Sequence, residues 1–256
     1  ARGAAAVAER LQAFTEEGVA FAIADATSND DLLRLGRAVA GQRLVVAGSG
    51  LAIGLPQNFS RSAHGESLVA ADQLPAKRGS KAVVAGSCSV ATLAQIDAFA
   101  AAGHAIWRLD PADLHGDRAV DAVYGQAMAW YDAQRLEAPD RLCLFTSSAS
   151  PERVREAQQR WGGQHLGEAI EQCLARIAVG LIQRDVGQLV VAGGETSGAC
   201  VQALGVAQMR IGPQIDPGVP WCWARCEALA GQGIHLALKS GNFGARDFLM
   251  RAFDRI

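Results

Sequence analysis

Short apolar runs alternate with amphipathic stretches along nearly the whole chain. The runs fall at Val19–Ala24, Arg43–Ala47, Lys81–Ala85, Ala105–Leu109, Arg141–Phe145, Gln188–Ala192 and Ile234–Leu238. Several are apolar on both faces, the pattern of short parallel strands covered by helices. Between them, apolar residues recur at helical spacing. Asp30–Ala40 follows a Ser28/Asn29 cap, Val90–Ala101 follows Ser89, and Pro151–Arg160 follows Ser150. Longer periodic segments span Arg118–Arg135 and Gly167–Arg184, and Ala4–Phe14 reads as mid-helix. Repeated strand–helix units predict an α/β fold, a parallel-rich sheet with helices on both faces.

Two breaks interrupt this rhythm. A polar stretch around residues 72–80, holding Pro75 and Gly79, predicts a linker between a first domain at 1–71 and a second at 81–256. Gln208–Arg225 carries Gly212, Pro213, Pro217, Gly218 and Pro220, which exclude a regular helix and predict a long functional loop. Trp221 and Trp223 within it are candidates for core or for an interface in a homo-oligomer.

Composition narrows the class. Half of the 256 residues are hydrophobic and 20% are charged, as in soluble globular proteins. A net charge of −2 offers no basic footprint for nucleic acid or an anionic membrane. No apolar run approaches the roughly 18 residues of a membrane span, and no basic segment precedes a signal-like core. Six cysteines without a CxxC pair predict reduced, buried thiols in a cytoplasmic protein. Cys222 and Cys226 near His235 lack the second ligand pair of a zinc site, so no metal ligand is expected from the chain itself. The chain opens at Ala1 in mid-helix and reads as a truncated or processed product.

The chemistry concentrates in two glycine- and hydroxyl-rich turns. Gly193-Gly194-Glu195-Thr196-Ser197-Gly198 follows one apolar run, and Lys239-Ser240-Gly241-Asn242-Phe243-Gly244 follows another. A strand that ends in glycines and opens a helix presents backbone N–H groups at a positive dipole end, a site for phosphate. The first turn predicts a helix over Ala199–Val206 and brings three side-chain oxygens; a ligand-free capped turn is the plainer alternative. Lys239 suits phosphate oxygens, or is simply a solvated lysine at a strand end. Ala85-Gly86-Ser87-Cys88-Ser89 is a third such turn, in which Ser89 reads first as a helix cap; Gly48–Gly54 is a fourth. His64 lies in a polar loop, and His235 alternates with apolar neighbours as a core histidine would. Established signatures fail: Gly48-x-Gly50-x-x-x-Gly54 is one residue too long for the dinucleotide fingerprint, Leu238 stands where a Walker loop needs glycine, and no G-x-S-x-G elbow occurs.

The motifs together resemble a known family. Val191–Ala199, Ile211-Gly212 with Asp216-Pro217-Gly218-Val219-Pro220, and Leu236–Phe248 are similar to the C-terminal nucleotide-binding domain of the four-carbon acid sugar kinases. Ala85–Ser89 with Thr92 and Gln95-Ile96 resembles the opening of that domain, and Gly48–Pro56 the end of the family's substrate domain. The resemblance implies phosphorylation of a terminal hydroxyl on a sugar acid such as 3-oxo-tetronate, using ATP and Mg²⁺. It implies ATP contacts at Ser87 or Ser89, at Gly193, Gly194, Glu195, Thr196 and Ser197, and at Gly241, Asn242 and Gly244. Lys239 is then the expected catalytic cation, and Mg²⁺ is expected on water held by Glu195 or Thr196. The family's Asp-Asp…Thr-Gly opening is not in this sequence, so no general base is named; Asp216 and Asp247 are the weak candidates. A nucleotide-binding module without activity, or another α/β enzyme with a phosphorylated ligand, remains the alternative.

Overall fold

The computed structural model describes residues 3–59, 73–114, 119–148 and 163–256. The chain divides into two compact units, Ala1–Ser67 and Leu68–Ile256. His64 and the expected helix at Pro151–Arg160 lie outside the described residues.

In the first unit, helix α1 (Gly3–Glu16) buries none of its residues. Helix α2 (Asn29–Ala38) is capped by Ser28, whose hydroxyl accepts from the Asp31 N–H. Two 3-10 turns, Ser49–Gly54 and Pro56–Asn58, pack back on α2. Gly36 and Gly54 meet so closely that a Cβ on Gly36 would lie 2.3 Å from the Gly54 carbonyl carbon. The Gly48–Gly54 segment thus uses a glycine to approach a helix. Val19–Ala24 and Arg43–Ala47 are not strands. Both run as irregular chain, and their side chains include some of the most exposed apolar groups in the protein.

The second unit is built on a seven-stranded sheet: β1 (Ser80–Ala85), β2 (Ala105–Arg108), β3 (Cys143–Thr146), β4 (Val186–Ala192), β5 (Met209–Asp216), β6 (Val219–Cys226) and β7 (Gln232–Lys239). Their order is β2-β3-β1-β4-β7-β6-β5. The five strands from β2 to β7 are parallel, and β6 and β5 close the edge as an antiparallel hairpin. Alternate residues of the central strands feed two cores. Ala82, Val84, Leu189 and Val191 pack with α4 (Ala119–Glu137), α5 (Gly163–Ile182) and α6 (Gly194–Ala203). Val83, Ala85, Val190 and Ala192 pack on the other face with α3 (Val90–Ala101) and the short α7 (Phe248–Arg251). This is the α/β architecture the sequence pattern predicts.

The hairpin corrects the expected long loop at Gln208–Arg225. Its prolines are tolerated because β5 is an edge strand with register shifts around Pro213 and Gln214, while Pro217-Gly218 forms the turn, with Gly218 at φ +80°. Trp221 is fully buried and donates its indole N–H to the Ala252 carbonyl at 2.8 Å, so it belongs to the core. His235 is also buried, bonded through Nε2 to the Pro75 carbonyl at 2.9 Å. All six cysteines are free, and five are buried. Among the described residues no helix is long and apolar enough to cross a membrane.

Candidate functional site

Strands β1 and β4 are neighbours whose following helices, α3 and α6, lie on opposite faces of the sheet. Connections that leave in opposite directions open a crevice at the carboxyl ends of the two strands, where α/β sheets bind ligands. The three turns singled out from the sequence in the second unit all end at this edge.

The turn after β1 continues the ladder: the N–H groups of Gly86 and Ser87 donate to the Ala192 carbonyl at 3.0 and 3.3 Å. In the turn after β4, Gly193 adopts φ +134° and donates to the Lys239 carbonyl at 2.8 Å. Helix α6 begins at Gly194, five residues earlier than the expected Ala199, because the single left-handed glycine completes the turn. Glu195, Thr196 and Ser197 therefore stand in its first turn. Gly193 supplies no side-chain cap, which leaves first-turn N–H groups to a ligand or solvent. The turn after β7 lies against the first: a Cβ on Gly241 would fall 2.2 Å from Ser87 Oγ and 3.0 Å from Ser89 Oγ.

One face of α3 clamps this third turn. Ser89 Oγ and Thr92 Oγ1 donate to the Gly241 carbonyl at 2.7 and 2.9 Å, and Gln95 Nε2 spans the carbonyls of Phe243, Gly244 and Ala245 at 3.0–3.1 Å. Ser89 also caps α3 by accepting from the Thr92 N–H at 3.2 Å. Lys239 turns into the protein and is not solvated. It is fully buried, and Nζ donates to Thr92 Oγ1, the Ser240 carbonyl and the Gly241 carbonyl at 3.0, 3.2 and 3.0 Å. All three ammonium donors are thereby engaged inside the protein. Burial lowers its pKa to about 8. Asn242 and Gly194 are exposed at the crevice edge, and Gly244 turns the chain at φ +86°. Asp216 accepts from the Ala245 N–H and pairs with Arg251, which also meets Asp247; neither carboxylate is placed to act as a base.

Comparison with known proteins fixes what these turns belong to. Residues 82–249 match the family described as nucleotide-binding C-terminal domain. The chain belongs to the four-carbon acid sugar kinase family. It is 44% identical over 256 residues to the 3-oxo-tetronate kinase of Pseudomonas fluorescens, covering 100% of this chain and 56% of that protein. It is 45% identical over 253 residues to the 3-oxo-tetronate kinase of Burkholderia multivorans, covering 98% and 56%. A crystal structure from Salmonella typhimurium, provisionally named a tRNA synthase, superposes with a TM-score of 0.79 at 31% identity over 98% of this chain and 56% of that one. The chain thus spans a little over half the length of the curated relatives it matches.

Within this kinase-family domain the structure adds residues that the motifs did not single out. Ser148, beyond β3, donates to the Ser87 carbonyl at 2.6 Å, and the Ser147 N–H donates to the Ala85 carbonyl at 3.1 Å. The three hydroxyls that close Leu144-Phe145-Thr146-Ser147-Ser148 were the available signal. Glu171 on α5 accepts from Thr196 Oγ1 at 3.1 Å, and its second oxygen is buried with no partner. Burial raises its pKa, the Thr196 hydrogen bond opposes that, and nearby Glu195 adds to it. Its signal was a carboxylate in register with Leu174, Ala178 and Leu181, the apolar stripe of its helix.

Proposed function

We propose that the crevice binds the phosphates of ATP and that the protein is an ATP-dependent kinase for a four-carbon acid sugar, 3-oxo-tetronate or a related tetronate. The transfer would go to a terminal hydroxyl of that acid. One observation carries the nucleotide reading: three glycine turns converge on the β1/β4 switch point, where a Cβ on Gly86 would lie 2.2 Å from Thr196 Oγ1 and one on Gly241 2.2 Å from Ser87 Oγ. The names of the curated relatives support the kinase and the substrate class. On this reading residues 81–256 form the nucleotide-binding domain, 72–80 the linker, and 1–71 part of the substrate domain.

Phosphoryl transfer asks a protein mainly for alignment and for charge stabilisation at the transferred group. Backbone N–H groups at Gly194, Glu195 and Thr196 would hold phosphate oxygens, with the Ser87 and Gly241 turns closing the other side. Lys239 serves this arrangement from behind: it anchors the Gly241 turn to Thr92 instead of touching phosphate. Mg²⁺ is commonly held by phosphate oxygens and one or two carboxylates. Among the described residues no group of three or more His, Cys, Asp or Glu could cage a metal ion. The α6 turn nevertheless offers exposed Glu195 as a carboxylate for an ion carried by the nucleotide. Bound there, Mg²⁺ would neutralise charge that develops on the phosphates.

Gly194 provides the test, because a Cβ there meets nothing within 4 Å. A Gly194→Trp side chain therefore adds bulk at the first N–H of the turn without disturbing the packing beneath it. Calorimetric titration of ATP with Mg²⁺ should give binding to the parent chain and at least a tenfold loss in the variant. Equal binding by both would remove the phosphates from this turn.

A further inference from the structure

The first turn of α6 is anchored from the opposite core to the one that anchors the Gly241 turn. On α5, residues 171, 174, 178 and 181 share one stripe, and Leu174, Ala178 and Leu181 are fully buried. Glu171 is the one polar member of that stripe, at the end nearest the crevice. A carboxyl group there is unfavourable unless it holds a partner, and its partner is the Thr196 hydroxyl, 3.1 Å away. Thr196 is 1% exposed. Its Oγ1 occupies space that two glycines leave open: a Cβ on Gly86 would lie 2.2 Å from it, and one on Gly193 2.8 Å. A Cβ on Gly86 would also lie 3.3 Å from Glu171 Oε1. The carboxyl, the hydroxyl and the two glycines form a single contact that joins α5, α6 and the β1 turn.

We infer that Glu171 is a positioning residue for the nucleotide phosphates: acting through Thr196, it locks the first turn of α6 against the β1 turn. The inference rests on the reading of the crevice as an ATP site. A threonine hydroxyl rotates freely unless an acceptor fixes it, and Glu171 Oε1 is that acceptor. The N–H groups at the start of α6 then keep one orientation relative to the β1 turn, whose own Gly86 and Ser87 N–H groups are held on the Ala192 carbonyl. The role needs an acceptor oxygen and not a charge, since a protonated carboxyl or an amide presents one equally well. Glu171→Gln should therefore retain it. Glu171→Leu, which suits the apolar stripe, should keep the fold while it releases Thr196, the buried carboxyl it removes offsetting part of the cost of the unpaired hydroxyl.

ATP with Mg²⁺ is titrated by calorimetry into the 256-residue chain and into Glu171→Gln, Glu171→Leu, Thr196→Ser, Thr196→Val and the Leu/Val double variant, with a thermal midpoint for each. Gln and Ser should bind within about threefold of the parent. Leu and Val should each lose about tenfold, the order of one oriented hydrogen bond, in chains that still fold, with midpoints lowered only by the one buried polar group each leaves unpaired. The double variant should bind no more weakly than either single one, because both remove the same contact. Parent-like binding by Glu171→Leu overturns the inference and leaves the ATP site standing. Glu171→Gln as weak as Glu171→Leu overturns it too, by making charge the active property. Should Leu at 171 fail to fold, the Ser and Val pair at 196 decides, and equal binding by those two overturns it. A parent chain that binds no ATP overturns the nucleotide reading itself, and the inference with it.

Discussion

Val19–Ala24 and Ser80–Ala85 are both six-residue, largely apolar segments, yet their fates differ completely. In the second, Ala82 to Ala85 are fully buried, with β3 on one side and β4 on the other. In the first, Phe21 is 94% and Ile23 95% exposed, and neither lies in a strand. The pair Leu44 and Val46, 82% and 91% exposed, repeats the contrast. Among the described residues of the first unit only Gly36, Ala38 and Gly54 are buried. An apolar run encodes the capacity to be a strand. Neighbours with free backbone groups, and helices to cover the faces, make it one.

The sharpest way to break this contrast is to place the same charge in both regions. Val84→Asp buries an unpaired carboxylate between β3 and β4 and should destabilise the second unit by more than about 4 kcal/mol, enough to prevent folding. Ile23→Asp should change stability by no more than about 0.5 kcal/mol. All five tryptophans lie beyond residue 68, so urea titrations followed by tryptophan fluorescence read Val84→Asp in the second unit, and hydrogen exchange at α1 and α2 reads Ile23→Asp in the first. A large shift in Ile23→Asp would mean that segment 19–24 is buried in solution.

The contrast also explains which expectations held. Strands β1, β2, β3, β4 and β7 were legible because each is a short apolar run between helical patterns, and each found partners. The hairpin at Met209–Cys226 was hidden by its prolines, which an edge strand and a turn accommodate but a sequence window reads as a break. At the candidate site, glycine turns mark themselves locally, so the close approach of the turns at Ser87, Gly193 and Gly241 has a visible sequence signal. What holds them has none. Glu171 lies 25 residues from Thr196 and Thr92 lies 149 from Gly241, and each reads singly as a helix residue. The surroundings of Lys239 were hidden for a related reason: a lysine at a strand end is ordinarily solvated, and only the fold reveals three acceptors converging on Nζ.

Lys239 supplies the next test, since the first unit buries no charged side chain among its described residues. Its pKa falls from 10.5 to about 8 in the folded chain through burial. Between those values the unfolded chain binds a proton that the folded chain has released, so stability should rise with pH from about 8 to 10.5. The ceiling is about 3 kcal/mol at 1.36 kcal/mol per pH unit, reduced because the three acceptors around Nζ favour the ammonium form. Lys239→Met should flatten that rise, and it should also weaken ATP binding by freeing the Gly241 turn. Stability curves with identical pH slopes in parent and variant would show that Lys239 does not change its protonation there.

The smallest effect compares two caps of one kind. Ser28 begins α2 and Ser89 begins α3, each accepting from the N–H three residues on, at 3.3 and 3.2 Å. Loss of either cap by mutation to alanine should cost its own unit about 1 kcal/mol. The first serine's hydroxyl otherwise turns to Asp31, within its own helix. The second reaches 152 residues along the chain to the Gly241 carbonyl. Ser28→Ala should therefore leave ATP affinity unchanged, whereas Ser89→Ala should lower it about threefold to tenfold, through one lost hydrogen bond on a turn that Thr92 and Lys239 still hold. Hydrogen exchange at α2 and α3 separates the two stability effects, and calorimetry reads the affinity. Equal affinities in the two variants would make Ser89 a cap like any other, and would confine the clamp on Gly241 to Thr92 and Lys239.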